Sequence, residues 1–277
     1  MDLTRCKKDI EQKFLKSHID KTEVNILFCE ALDISRAELL TKTEISNCEK
    51  KKVDHAVKKR LAGEPIQKIF KRAYFYGYTF FVNKNVLCPR PETELLVEEC
   101  LKFAKHGDKI LDLCTGSGCI AISIKKNIDA EVFASDVSEK ALYVAKKNAK
   151  NLGAEIKFVK SDMFENLRQK FDIIVSNPPY IPTKEIEDLD VEVKNFDPKI
   201  SLDGGEDGLE FYKQIANGAK HLLNKNGKIL LEIGIKQAKN VQKMLKNAGF
   251  SVYVKKDYNN IERIIVGELL WLKNVTK

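Results

Sequence analysis

The sequence is poor in the features that would put it in a membrane, on a metal or in an oxidising compartment. No apolar run approaches the roughly 20 residues a helix needs to cross a bilayer; the longest, Ile264 to Leu272, is interrupted by Gly267 and Glu268. Met1-Asp2-Leu3-Thr4-Arg5 lacks the apolar core of a secretory signal. Seven cysteines, an odd number with no Cys-x-x-Cys pair, predict reduced thiols and a cytoplasmic location. The four histidines, His18, His55, His106 and His221, are scattered without ligand-like spacing, so no metal is expected. Internal repeats and low-complexity tracts are missing too.

What remains describes a soluble globular protein: 43% hydrophobic and 32% charged residues over 277 positions. That length predicts one large domain and a small one. The net charge of +8 is uneven: residues 1–72 carry 17 Lys+Arg against 12 Asp+Glu, a net +5, which leaves +3 for the rest. Two readings stand open, a basic face for a nucleic-acid-containing partner or lysine-rich helix faces in solvent.

The first 62 residues read as four or five short helices. Ser35-Arg36-Ala37-Glu38 and Ser46-Asn47-Cys48-Glu49 both fit the capping box, a hydroxyl followed three residues later by Glu. Val53, Ala56, Val57, Arg60 and Leu61 form a helical stripe that stops at Gly63. Residues 1–72 are therefore expected to be a helical domain, and 73–88, rich in Tyr and Phe, a β-hairpin linker. Over 89–277 strand and helix patterns alternate. Strands are predicted at 109–113, 131–135, 156–160, 171–176 and 228–233, helices at 118–126, 138–151 and 237–248, and a closing hairpin at 251–254 and 263–269. That alternation predicts a mostly parallel sheet covered on both faces, with an antiparallel edge.

Four strand ends carry the chemistry. Asp112-Leu113-Cys114-Thr115-Gly116-Ser117-Gly118 joins the first strand to its helix, and its glycines allow close backbone approach to a ligand. It has neither the third glycine of a dinucleotide fingerprint nor the Lys of a triphosphate loop, which argues against a dehydrogenase and an NTPase. The second strand ends in Asp136, placed to accept hydrogen bonds from a ribose diol. Ser161-Asp162-Met163-Phe164 ends the third with an acid and an apolar shelf for a base. The fourth ends in Asn177-Pro178-Pro179-Tyr180. Prolines stop the ladder and fix φ, so the Asn177 side-chain oxygen and the Pro178 carbonyl converge as two acceptors suited to a planar NH2 group.

With those segments in place, the chain resembles the class I S-adenosylmethionine-dependent methyltransferases, and more closely the PrmC/HemK family of protein-(glutamine-N5) methyltransferases that modify peptide chain release factors. The similarity includes Gly63-Glu64-Pro65-Ile66, Pro89-Arg90-Pro91-Glu92-Thr93-Glu94, Asp112–Gly118, Val175–Tyr180, Leu202-Asp203-Gly204-Gly205 and Asp257-Tyr258 ahead of Glu262-Arg263. The resemblance implies a Rossmann-like, seven-stranded methyltransferase domain behind an all-α substrate-recognition domain. It implies S-adenosyl-L-methionine as cofactor, S-adenosyl-L-homocysteine as product, and the glutamine of the release-factor Gly-Gly-Gln motif as acceptor. Carried over by position, Cys114, Thr115, Gly116, Ser117 and Gly118 would wrap the methionine part, Asp136 the ribose, and Asp162 with Met163 the adenine. Asn177 would touch both cofactor and substrate, with Pro178, Pro179 and Tyr180 completing the substrate contacts and Asn177, Pro178 and Tyr180 the catalytic set. Cys114 departs from the glycine many members carry, and a Cys is expected there only if its φ is negative. Met163 stands where some relatives have Trp, which should weaken stacking. Arg90 and Glu92 have two open readings, a structural ion pair or a ligand contact.

Other acceptors fit the same loop, namely a glutamine of a ribosomal protein or an exocyclic base amine in nucleic acid. The second is disfavoured because the 181–207 insertion carries Glu185, Glu187, Asp188, Asp190 and Glu192, which repel phosphate. A monomer is expected, with no nucleic-acid substrate and no membrane. A cofactor sensor without turnover is the remaining class, opposed by intact Asn177 and Tyr180.

Overall fold

The computed structural model describes residues 1–270 and resolves into two compact units, Met1–Arg72 with Val191–Phe196, and Ala73–Asp190 with Asp197 onward. Trp271 and Leu272, the end of the longest apolar run, lie outside the described residues. Among the described residues no helix is long and apolar enough to cross a membrane.

The first unit contains α1 (Leu3–Lys16), α2 (Glu23–Leu32), α3 (Arg36–Thr41), α4 (Asn47–Leu61) and α5 (Ile66–Phe70). Both capping boxes form: Ser35 and Glu38, and Ser46 and Glu49, exchange side-chain and backbone hydrogen bonds at the starts of α3 and α4. Leu3, Ile10, Phe14, Val24, Leu27, Phe28 and Val53 make the core. Arg60, on the apolar stripe of α4, is buried. It is held there by a two-pronged bond to Glu23 at 2.6 and 3.0 Å and by a bond to Glu192 in the short helix Val191–Phe196. A guanidinium suits that arrangement because its planar fork matches a carboxylate.

The second unit opens with the hairpin β1 (Arg72–Phe75) and β2 (Tyr78–Phe81), then α6 (Glu94–Phe103). The alternation follows: β3 (Lys109–Leu113), α7 (Cys119–Asn127), β4 (Glu131–Asp136), α8 (Glu139–Leu152), β5 (Lys157–Lys160) and β6 (Phe171–Ser176). After the short helix, here α9 (Val191–Phe196), come α10 (Glu210–Leu222), β7 (Leu223–Glu232), α11 (Ala238–Asn247), β8 (Phe250–Lys256) and β9 (Glu262–Leu269). The sheet order is β5-β4-β3-β6-β7-β9-β8, with β3 to β7 parallel and β9 antiparallel to both neighbours.

Beyond the helical unit's own five, the helices α6, α10 and the short α9 escaped the sequence reading. α6 buries Leu95, Leu96, Val97 and Cys100, a clustered rather than stepped pattern. α10 buries Tyr212, Ile215, Ala216 and Ala219, directly after a glycine-rich stretch that reads as loop. β7 begins earlier than expected because Leu223 pairs with Phe171 before an irregularity carries the register on to Lys228. Two core layers lie on the sheet: Ile110, Ile120, Val132, Ile173 and Leu230 in one, Leu111, Phe133, Ile174, Tyr212 and Leu231 in the other.

The chain steps outward from β3 to β4 and β5, then returns to the other flank of β3 as β6. That reversal opens a crevice at the carboxyl ends of β3 and β6, the place where open α/β sheets bind ligands.

Candidate active site

The loop after β3 is shaped by donors. Thr115 N–H binds the Ser135 carbonyl at 2.9 Å, and Gly116 N–H donates to Asp136 Oδ2 at 2.9 Å. Asp112, fully buried at the end of β3, accepts from Thr115 Oγ1 at 2.6 Å and from the Ala121 N–H at 3.1 Å. Its Oδ1 has no partner, and burial pushes the carboxyl up to about 7. Asn148 on α8 ties the loop to the hairpin, donating to the carbonyls of Ser117 and Phe81 at 2.9 and 3.0 Å.

One expectation is overturned. Cys114 adopts φ 63°, the left-handed region, where a negative φ was expected. A non-glycine residue enters that region at a cost of roughly 1–2 kcal/mol, and the hydrogen bonds of Thr115 and Gly116 hold the turn in place. Burial pushes the Cys114 thiol well above its ordinary range, so it sits there as a packed neutral group. Met163 is also left-handed, at φ 41°. Strained residues of this kind gather at ligand sites.

Between these loops lies a pocket enclosing about 730 Å³ of atom-free space, part of it open to solvent. Cys114, Gly116, Asp136, Asp162, Met163, Asn177 and Pro179 line it. Thr115, Ser117 and Gly118 do not. Thr115 and Ser117 are buried inside the loop, and an added Cβ at Gly118 would come within 3.0 Å of Ala145 on α8, so that glycine serves helix packing. Gly116 is the opposite case: φ is 54° and a Cβ there would meet no protein atom within 4 Å, since it would enter open space. Asp136 takes one backbone N–H on each oxygen, from Gly116 and from Ser138 at 2.8 Å, and burial raises its pKa. Each oxygen keeps a second lone pair for a ligand hydroxyl.

The sequence reading missed a second wall. Asn85, Val86 and Leu87, beyond the hairpin, and Pro198, Ile200, Ser201 and Phe211 complete the pocket. Three of these belong to the acidic insertion, where charge drew attention to the wrong residues. Arg90 pairs with buried Asp197 at 3.0 Å, and Asp197 also accepts the Cys88 N–H at 3.3 Å. That pair fixes both missed segments at their roots.

The loop after β6 is built to stay put. Ser176 Oγ donates to the Leu113 carbonyl at 2.6 Å, clamping the ends of β6 and β3 together. Pro178 is buried, while Asn177 is half-buried on the pocket wall. Tyr180 does not line the pocket; its ring packs into the core layer beneath, and burial pushes the phenol up to about 12. Its carbonyl accepts from Gln237 Nε2 at 2.8 Å, and Ile181 exchanges bonds with the Leu202 carbonyl and the Gly204 N–H at 2.9 and 2.8 Å. Leu202-Asp203-Gly204-Gly205 is thus a backbone splint for the Asn-Pro-Pro-Tyr loop. At Gly208, with φ 70°, a Cβ would fall 2.5 Å from the Tyr180 carbonyl oxygen.

Behind Asn177 lie two residues that sequence reasoning passed over. Asn177 Nδ2 donates to Thr93 Oγ1 at 3.2 Å. Glu232, at the end of β7 and 2% exposed, has an Oε2 without a hydrogen-bond partner, and burial pushes its carboxyl up to about 7 against the lowering pull of Thr93, Arg263 and Asn177. A Glu closing an apolar strand was the available signal.

A mostly parallel seven-stranded sheet with a reversed terminal hairpin, an acid at the end of β4 and Asn-Pro-Pro-Tyr at the switch point define a class I methyltransferase fold. The comparisons agree. Residues 90–195 match the methyltransferase small domain family, and residues 9–70 match the PrmC N-terminal domain. A methyltransferase from Pyrococcus furiosus, 19% identical, superimposes with a TM-score of 0.57 over 78% of this chain and 98% of that one. The release factor glutamine methyltransferase of Thermodesulfovibrio yellowstonii is 42% identical over 88% of this chain and 91% of its own length. That of Bacillus cereus is 37% identical over 90% and 93%. The chain belongs to the release factor glutamine methyltransferase family.

Proposed function

We propose that the protein transfers a methyl group from S-adenosylmethionine to the side-chain amide nitrogen of the glutamine in the release-factor Gly-Gly-Gln motif. One observation carries this reading: the Asn177 amide stands on the wall of the same pocket that Asp136, Asp162 and Gly116 line. The donor set fits the cofactor. Asp136 offers lone pairs for the ribose hydroxyls, Met163 and Phe211 offer apolar surface for the adenine, and the free space beside Gly116 admits a ligand against backbone. When bound, the cofactor supplies an electrophilic sulfonium methyl.

The chain's own residues then position the acceptor. An amide nitrogen is a weak nucleophile because its lone pair is delocalised into the carbonyl. The Asn177 side-chain oxygen and the Pro178 carbonyl each accept one N–H of the substrate amide, which aims the nitrogen and stabilises its developing positive charge. Positioning of this kind contributes up to roughly 7–11 kcal/mol. With the cofactor held by Gly116, Asp136 and Met163, its methyl would pass to the nitrogen as the sulfur–carbon bond broke. The nitrogen, now cationic and acidic, releases its proton to solvent, so no strong base is needed. Pro179 lines the pocket beside this point and Tyr180 supports the loop from behind. Recognition of the release factor we assign to the helical unit, which the N-terminal domain match spans.

The test is mass spectrometry of a release factor incubated with this protein and S-adenosylmethionine, beside a factor whose Gly-Gly-Gln glutamine is replaced. A gain of one methylene mass on that glutamine, absent from the replacement, is the expected result. No gain, with cofactor binding confirmed, overturns the substrate assignment and leaves the fold standing.

A further inference from the structure

Two prolines in succession stiffen the loop after β6, and they also strip it of handles. Pro178 and Pro179 have no N–H, so neither can tie the loop to its neighbours through a backbone donor. The loop must be anchored at its two ends. On entry the anchor is Ser176, whose Oγ donates to the Leu113 carbonyl at 2.6 Å. On exit it falls to Tyr180 and Ile181.

At the exit, three loops converge on one side-chain amide. Gln237 Nε2 donates to the Tyr180 carbonyl at 2.8 Å and to the Gly208 carbonyl at 3.1 Å, and Gln237 Oε1 accepts the Gly234 N–H at 2.9 Å. Both amide hydrogens are used. The partners lie in the loop after β6, the turn before α10 and the loop after β7. A flipped amide would set an oxygen against two carbonyls and an NH2 against an N–H, so the orientation is fixed.

The backbone around that amide is shaped to admit it. A Cβ added at Gly208 would fall 2.9 Å from Gln237 Nε2. One added at Gly234 would fall 2.8 Å from Gln237 Oε1 and 2.9 Å from Tyr180 Cδ2. Gly234 is not left-handed, so glycine stands there for space. Lys236 is left-handed, at φ 68°, a strain that closes the turn in which the Gln237 N–H donates to the Gly234 carbonyl at 3.2 Å. Gln237 directly precedes α11, yet its side chain makes no capping bond to that helix. It is committed to the neighbouring loops instead.

We propose that Gln237 is a positioning residue for methyl transfer: it fixes the Tyr180 carbonyl and thereby the direction in which the Pro178 carbonyl and the Asn177 side chain meet the substrate amide. This rests on the reading of Asn177 and Pro178 as the acceptors. Pro179 sets one of the torsions between Pro178 and Tyr180, so a carbonyl held at Tyr180 limits the swing of the carbonyl two residues earlier. Without Gln237 the exit keeps the backbone bonds of Ile181 to Leu202 and Gly204. The loop then gains directions, few of which aim the substrate nitrogen. Gly116, Asp136 and Met163 line the pocket from other loops and stay as they are.

Two readouts test the anchor. The first needs no substrate. Tyr180-Ile181 is the one Tyr-Ile step in the sequence, so protein labelled with 13C-carbonyl tyrosine and 15N-isoleucine gives a single NMR signal for that peptide. Gln237→Met, similar in length but without the amide, is expected to shift and broaden it. The second readout is steady-state methyl transfer to a release factor, beside calorimetry of S-adenosylhomocysteine binding. Gln237→Met should lower kcat about tenfold, the upper end of what one neutral hydrogen bond contributes, with cofactor affinity within about twofold. Gln237→Glu is the second variant. Protonated, it restores one donor to Tyr180; ionised, it sets a carboxylate against two carbonyl oxygens. Those oxygens and partial burial raise its pKa. Its kcat relative to the wild type should therefore climb as pH falls from about 8 to about 5.5, while the Gln237→Met ratio stays flat.

An unshifted Tyr180-Ile181 signal overturns the proposal. So does wild-type kcat in Gln237→Met, a kcat loss matched by an equal loss of cofactor affinity, or a Gln237→Glu ratio that does not move with pH. A signal that shifts as expected, while the wild type leaves the release factor unmodified, overturns the acceptor reading alone.

Discussion

The two loops that meet at the switch point are held still by opposite means. The loop after β3 is rich in left-handed residues, Cys114, Gly116 and Gly118, and its backbone donors are pinned by neighbouring oxygens of Ser135 and Asp136. The loop after β6 has no left-handed residue and takes its rigidity from two prolines and from contacts made outside it, by Gly204, Gly208 and Gln237. The first leaves open space beside backbone; the second presents acceptors. A site that grips one ligand and orients another needs both, because a flexible donor loop would lose the cofactor and a flexible acceptor loop would lose the reacting geometry.

That contrast assigns separable effects. Asn177→Ala should lower kcat about 10²-fold or more, as loss of an oriented transition-state contact does, with cofactor affinity nearly unchanged in calorimetry; turnover near the wild-type rate would merge the two roles. Gly208→Ala comes next. Its Cβ would fall 2.5 Å from the Tyr180 carbonyl oxygen at φ 70°, and thermal unfolding should show about 2 kcal/mol of destabilisation, within the usual range for strain at such a position. Gly116→Ala places a methyl in the free space of the pocket, so cofactor affinity should fall about tenfold, near 1.4 kcal/mol, while kcat at saturating cofactor holds. Cys114→Gly has the smallest expected effect. Relief of the left-handed strain is offset by the flexibility glycine adds to the unfolded chain and by lost packing of the thiol, so stability should change by less than about 1 kcal/mol.

Periodicity made the alternating β3–β6 core legible, since buried parallel strands read as short apolar runs and their helices as 3.6-residue stripes. The two capping boxes were legible because a hydroxyl and a Glu three residues apart satisfy each other locally. α6 and α10 were not. α10 carries a full helical stripe, Tyr212, Ile215, Ala216 and Ala219, masked by the glycine-rich stretch before it, whereas Leu95-Leu96-Val97 carries no helical period of its own. The site divides along the same line. Asp136, Asp162, Met163 and Asn177 sit at strand ends and could be read in order along the chain. Asn85, Pro198, Ile200 and Phe211 reach the pocket from segments with no motif, and Thr93 meets Asn177 from the start of α6.

The sequence by itself determined the fold class, the strand ends that bear chemistry and the rigid turn at Asn177-Pro178-Pro179-Tyr180. Each depends on residues near one another along the chain, through proline φ, glycine freedom, capping and periodicity. Only the tertiary structure decided that Cys114 sits left-handed, that Tyr180 supports the pocket from behind instead of lining it, and which way the Asn177 amide faces. Those outcomes depend on the balance of burial and hydrogen bonding among residues brought together by the sheet, and that balance does not exist until the strands have paired.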